Sequence, residues 1–357
     1  MSKITHLEGI QSQFIETSRL RMHVLTAGNP EQVPILFLHG NTSSSTIWEP
    51  FMLNFSDQYY CIAPDLRGFG QTDDRKLIDA TNGMGDWVND VEALAEKMQI
   101  APFHLVGHSL GGFVCWGLIG RYPELLQTAT LIAPGPPMGF GGIHGEKGIP
   151  NNGDFSGSGG GIVVDEFARR IREKDRSADH PLYSPRNAMN RLFWKNGFKA
   201  DREEEILSAM LSIHSGDRQY PGDYVKSEFW PDVAPGKYGP VNALSPKYNQ
   251  WVLDELIEAE PKTAILWIHG QDDNIISDRS FSDPGYQGQL GLREGWPGTE
   301  QYPPQPMVSE IAYALQQYER TGGKVRRQEL PDCGHTPFIE KPKQSRKAID
   351  QHLNNLS

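Results

Sequence analysis

Short, mainly apolar runs recur along the first part of the chain, at Ile35–Leu38, Tyr60–Ala63, Phe103–Val106 and Ala129–Ala133, the last two interrupted only by His104 and Thr130. Each is short and closes against Gly, Pro or Asp. Continuous rather than alternating apolar runs suit strands buried on both faces, as in a parallel sheet. Helical periodicity lies between them. Over Asp86–Met98 the residues Trp87, Val91, Leu94, Ala95 and Met98 fall on one face. Alternation of this kind predicts right-handed βαβ units.

The pattern breaks after Ala133. Residues 134–161 carry Pro134, Pro136, Pro137 and many glycines, which is loop chemistry. These glycines do not form a phosphate loop, because no Lys-Ser or Lys-Thr follows them. Residues 162–258 differ again. Helical faces are expected at Val164, Phe167 and Ile171 and at Ile206, Leu207, Met210 and Leu211. Phe193, Trp194, Phe198, Phe229, Trp230 and Trp251 make this stretch dense in aromatics. It reads as a helical insertion whose aromatics, Trp194 and Trp230 among them, line an apolar pocket and govern substrate choice.

The strand–helix rhythm returns at Thr263–Ile268. A polar loop over 278–306, a helix carrying Val308, Ile311, Ala312 and Leu315, a strand at Lys324–Leu330 and a helix starting near Pro342 complete the chain. The expected layout is a core over 1–135, a cap over 136–260 and a returning core over 261–357.

Composition narrows the function classes. Hydrophobic residues make up 38% and charged residues 22% of the 357, as in globular proteins. A net charge of −11 argues against nucleic acid as a partner, since phosphate binding needs a basic surface. No stretch approaches the roughly 20 apolar residues of a membrane span. The start, MSKITHLEGIQSQF, has no apolar segment behind a basic one, so no secretory signal is expected. Cys61, Cys115 and Cys333 are too few and too widely spaced for a disulfide framework, which fits a reducing cytoplasm. The oligomeric state is left open.

Four segments carry candidate chemistry. The first is Gly107-His108-Ser109-Leu110-Gly111, between a buried strand and a helix over Phe113–Tyr122. A serine at such a turn sits in a strained backbone that exposes its Oγ, and the flanking glycines leave room for the turn. His108 is adjacent in the strand and points elsewhere, so it reads as a packing or positioning residue. The second is His39-Gly40-Asn41, after an earlier strand. Acyl transfer needs two backbone N–H donors for the oxyanion, and Leu110 and Asn41 are the candidates. The third is Gly334-His335-Thr336, after the last strand. His335 is the candidate base, because a serine hydroxyl needs one and His serves at neutral pH. His180 and His214 are held in reserve. The fourth is Gly270-Gln271-Asp272-Asp273, after Ile268; either aspartate could orient His335. Neither His nor Cys clusters at metal-ligand spacing and no His-Glu-x-x-His occurs, so no metal is expected, and no cofactor is expected either.

In this order the segments resemble the α/β-hydrolase superfamily over most of 20–135 and 260–355. Ala63-Pro64-Asp65-Leu66-Arg67-Gly68-Phe69-Gly70 resembles a loop of its esterase, epoxide hydrolase and haloalkane dehalogenase branches. Asn41, Ser43, Ser44 and Trp48 look like the dehalogenase branch. Those enzymes use an aspartate nucleophile, and Ser109 stands in its place, which implies attack on a carbonyl. The superfamily pattern sets the acid three residues after a strand-ending Gly, which implies Asp273 rather than Asp272. The implied activity is hydrolysis of a carboxylic ester or lactone with Ser109, Asp273 and His335 as triad. The alternatives are C–C bond hydrolysis, thioester or amide cleavage, acyl transfer, or a non-catalytic small-molecule receptor. The expected partner is a small molecule with an apolar portion.

Overall fold

The computed structural model describes residues 5–354. Residues 1–4, part of the segment read as lacking a leader, and 355–357 lie outside that range. Eight strands form one sheet: β1 Gln11–Glu16, β2 Arg21–Ala27, β3 Pro34–Leu38, β4 Tyr60–Pro64, β5 Phe103–His108, β6 Leu126–Ile132, β7 Ala264–Gly270 and β8 Val325–Leu330. Their spatial order is β1-β2-β4-β3-β5-β6-β7-β8. From β4 to β8 every pairing is parallel; β2 runs antiparallel to β1 and to β4. This is the α/β-hydrolase fold, with a mostly parallel sheet flanked by helices.

Burial follows the apolar runs. Every residue of β4 and β5 is buried, because helices cover both faces there. The edges are polar. β8, Val-Arg-Arg-Gln-Glu-Leu, buries only Leu330, and charges along an edge discourage pairing with another sheet.

Helix α1 spans Gly85–Met98 and buries Trp87, Val88, Val91, Leu94 and Ala95. Helix α2 spans Leu110–Arg121 and starts three residues before the expected Phe113, since Gly111 and Gly112 contribute no apolar side chain to a periodic face. Between β6 and β7 the chain forms helices α3 Asp165–Arg172, α4 Pro185–Leu192 and α5 Glu203–Met210. It also forms a two-stranded ladder of the exposed Tyr224–Lys226 with the mostly buried Val233–Pro235. The last stretch before β7, helix α6 Val252–Glu258, returns to the sheet's flank, where Arg121 on α2 pairs with Glu255 at 2.7 Å. Helices α7 Met307–Arg320 and α8 Pro342–Asn354 complete the chain, and Pro284–Gln289 forms a short helix inside the loop over 278–306.

In a parallel sheet the loops after the strands' C-terminal ends share one edge, where ligands of open α/β sheets bind. Asn41, Ser109, Asp273 and His335 all lie on such loops, after β3, β5, β7 and β8.

Candidate active site

Ser109 caps α2 with φ 54° and ψ −113°, a region that L side chains rarely occupy. Backbone bonds hold it there: its N–H donates to the Ile132 carbonyl at 3.0 Å, and its carbonyl accepts from Phe113 and Gly135 N–H at 2.8 and 2.9 Å. A Cβ on Gly107 would strike Cys115 Sγ and the Gly111 carbonyl, and one on Gly111 would strike the Leu38 carbonyl. The turn therefore closes only with glycine at both places.

β7 and β8 are neighbours with Gly270 opposite Leu330, so their following loops meet. His335 Nδ1–H donates to Asp273 Oδ2 at 2.8 Å, with both side chains buried. Asp273 Oδ1 accepts from the N–H groups of Ile275 and Ile276 at 2.8 and 2.9 Å, which fixes the carboxylate. Asp272 is exposed, with Lys195 Nζ 3.6 Å away. Nδ1 is engaged with Asp273, so the ring's other nitrogen, Nε2, is the one left for proton transfer. Ser109 and His335 border one cavity but share no hydrogen bond in this state.

Asn41 and Leu110 also line that cavity, and neither backbone N–H is taken up by an acceptor among the described residues. His39 fixes the loop between β3 and Asn41. Its Nδ1–H donates to the Gly40 carbonyl at 2.8 Å and its Nε2 accepts from Leu66 N–H at 3.0 Å. Burial holds this ring's pKa below the usual histidine value. Below it, Asp65 accepts from Ser45 N–H, Ser45 Oγ, Gln71 N–H and His23 Nδ1, all at 2.7–2.8 Å. Despite burial, those donors hold the Asp65 carboxyl well below the usual range.

Other candidates fall into supporting places. His108 Nε2–H donates to the His335 carbonyl at 2.8 Å, and burial keeps the ring neutral. It positions the His335 loop. Trp48 is fully buried and stacks on Phe338 at 4.1 Å. His214 bonds the Gly70 carbonyl at 3.2 Å, and His180 stacks on Tyr183; neither lines the cavity. Cys61, Cys115 and Cys333 are free and buried, and burial pushes the Cys61 and Cys333 thiols up to about 12.

The cavity has a volume of about 780 Å³. Phe and Tyr side chains lining it are Phe113, Phe140, Phe167, Tyr183, Phe193, Tyr220 and Phe281. Trp194 and Trp230, expected to line it, do not. Trp194 is fully buried against Phe193 and Phe198 and donates to Asn190 Oδ1 at 3.1 Å, so it is core to its own segment. Trp230 donates to the Glu294 carbonyl at 2.8 Å and packs edge-on against Tyr302. Hydrophobic density alone does not distinguish a pocket wall from a local core.

A clasp escaped sequence reading. Glu340 accepts from Gly334 N–H at 3.0 Å and from Lys195 N–H at 2.9 Å, while Thr336 Oγ1 donates to the Phe193 carbonyl at 2.8 Å. Gly334 approaches Trp194 so closely that a Cβ would lie 2.7 Å from its carbonyl carbon. The one hint in the sequence is a Thr-Pro helix start with a Glu one turn on, which predicts a capping contact but no distant partner.

Comparisons with known proteins agree with this architecture. A carboxylesterase of Bacillus subtilis (strain 168), "Uncharacterized carboxylesterase nap", is 29% identical over 220 residues, covering 57% of this chain and 68% of that protein. "Epoxide hydrolase 1" of Caenorhabditis elegans is 29% identical over 121 residues, 34% of this chain and only 30% of that protein. "2-(acetamidomethylene)succinate hydrolase" of Mesorhizobium japonicum is 31% identical over 121 residues, 34% of this chain and 42% of that protein. Among solved structures, a serine hydrolase of Cycloclasticus zankles superposes with a TM-score of 0.60 at 18% identity, covering 98% of this chain and 99% of that one. The naproxen esterase of Bacillus subtilis gives 0.58 at 18% identity, over 97% and 92%. The family model described as "Alpha/beta hydrolase family" matches residues 35–348. The chain belongs to the alpha/beta hydrolase family.

Proposed function

We propose that this hydrolase cleaves a carboxylic ester or lactone through an acyl-enzyme formed on Ser109. The observation that carries the reading is the buried His335–Asp273 hydrogen bond beside a serine held at a strained strand–helix turn, facing one apolar-walled cavity. Ser109 Oγ attacks the carbonyl carbon as His335 Nε2 removes its proton. Asp273 keeps the imidazole oriented and supports its cation. The Asn41 and Leu110 N–H groups receive the oxyanion. Collapse expels the alcohol, which takes the proton from His335. Water, activated by the same imidazole, then attacks the acyl carbon and releases the acid. No cofactor enters this route.

Three buried, unpaired cysteines favour a reducing compartment, and we take it to be the cytoplasm. No helix among the described residues is long and apolar enough to cross a membrane. The likeness to a 2-(acetamidomethylene)succinate hydrolase supports a second reading, in which the same triad cleaves a different bond next to a carbonyl. A panel of nitrophenyl esters, lactones, anilides and vinylogous diketones tests the choice. Turnover of esters or lactones with the diketones inert is the expected result. Diketone cleavage with inert esters would overturn it.

A further inference from the structure

Two guanidinium groups border the candidate site with no ion-pair partner among the described residues. Arg191 on α4 and Arg293 in the loop after Pro284–Gln289 both line the 780 Å³ cavity. They come from segments about a hundred residues apart in sequence, yet both interact electrostatically with the same phenol, Tyr183, also a wall residue. Arg191 makes no hydrogen bond or ion pair among the described residues. Arg293 is half-buried and held: Nη2 donates to the Ile162 carbonyl at 2.9 Å and Nε to Gln287 Oε1 at 3.1 Å, which leaves Nη1 without a partner. The Tyr183 hydroxyl is likewise unpartnered.

Burial lowers the pKa of both arginines, but Arg191 is exposed at its surface and Arg293 half-buried, so it is the surroundings of Arg293 that disfavour the charge. Asp283 interacts with Arg293, but burial pushes that carboxyl up to about 7 and weakens it as a counter-ion. Asp165 and Glu294 also line the cavity; both are exposed and neither pairs with Arg191 or Arg293. An exposed arginine alone needs no explanation, since its head can reach water. Arg293 is different, because its head is fixed by protein acceptors at the wall of an apolar space, where an unpaired charge is costly.

We infer that Arg191, Arg293 and the Tyr183 hydroxyl form a carboxylate-binding subsite, so that the preferred substrate carries a carboxylate distal to its scissile carbonyl. The free donors, Arg191 and one Arg293 nitrogen, match the two oxygens of a carboxylate better than the three of a phosphate. The apolar wall between them and Ser109 takes the connecting chain. The inference rests on the hydrolase reading for its scissile bond, but its binding test does not depend on turnover.

The test is calorimetric titration of the Ser109→Ala protein with monomethyl esters of straight-chain dicarboxylic acids from glutaric to sebacic, each against its dimethyl ester. For at least one length the monomethyl ester binds about tenfold or more tightly than the dimethyl ester. Arg191→Gln reduces that preference several-fold and Arg191→Lys keeps part of it, with the loss falling on the monomethyl ester far more than on the dimethyl ester. Arg191 supports no other group, so its variants should fold, and Arg293→Gln is a second probe. Equal binding of both esters at every length, or an undiminished preference in Arg191→Gln, overturns the subsite. Failure of the parent enzyme to react at Ser109 would instead overturn the hydrolase reading and leave the titration result standing.

Discussion

The cavity is built from two regions that hold their polar groups in opposite ways. On the sheet side, the carboxylate and the imidazoles are held by fixed protein partners: Asp273 by Ile275 and Ile276, His335 by Asp273, His39 by Gly40 and Leu66. On the side built by α4 and the loop after Pro284–Gln289, Arg191 and the Tyr183 hydroxyl are unpartnered. Fixed donors and acceptors suit a reaction whose charges always develop in one place. Open ones suit recognition, where the partner is supplied by the ligand. Substitutions on the sheet side should therefore change rate, and those on the opposite side should change choice.

The largest effect should come from Ser109. Ser109→Ala should lower kcat on an activated ester by about a thousandfold or more, with melting temperature little changed. Steady-state kinetics and a thermal melt check both parts. Next comes the aspartate pair. Asp273→Asn should reduce kcat by roughly a hundredfold or more, because it loses the anion that supports the imidazolium. Asp272→Asn, at an exposed ion pair, should stay within about twofold. The reverse order would move the acid to Asp272 and break the sheet-side account.

The comparison is sharpened by aromatics of two kinds. Phe167→Ala should change the ranking of kcat/KM among acyl chains of different size by several-fold, since Phe167 lines the cavity. Trp194→Ala should leave the ranking intact and cost about 3–5 kcal/mol of stability, as for a fully buried large side chain. Urea denaturation and a chain-length series separate the two outcomes. A changed ranking from Trp194→Ala alone would mean that its segment's shape, not its wall residues, sets the choice.

These contrasts follow how much each region reveals in sequence. β3 to β7 announce themselves as apolar runs, and Gly107, Ser109, Gly111 and Asp273 lie at their ends, where spacing along the chain fixes position in space, while His335 follows the polar edge strand β8. β1 and β2 gave no such signal: β1 is a half-exposed edge strand with alternating polar residues, and β2, although buried, reads Arg-Met-His-Val-Leu-Thr-Ala, with polar residues at three of its seven positions. Across the cavity the legible feature was aromatic content, which does not say which ring faces inward. Trp194 and Phe193 are adjacent, yet one is local core and the other lines the cavity. The Glu340 clasp joins residues 145 positions apart, beyond any local pattern.

The smallest expected effect is electrostatic and lies behind the cavity wall. Asp283 is buried, and its carboxyl is pushed up to about 7 by desolvation. Its folded pKa exceeds its unfolded one, so the unfolded state binds fewer protons between about pH 4 and 7, and stability falls as pH rises through that window. Asp283→Asn removes the titration. Its melting temperature relative to the parent should therefore rise by about 2 °C or more between pH 5 and pH 8. A constant difference across that range would mean that Asp283 is not held protonated.

The central claim is that Ser109 is the nucleophile of this site. Treating the protein with a fluorophosphonate and reading intact mass, then peptide mass, tests it directly. One adduct per chain is expected, on the peptide containing Ser109, and none on the Ser109→Ala protein. An adduct that persists in Ser109→Ala, or one mapped to another residue, would contradict it.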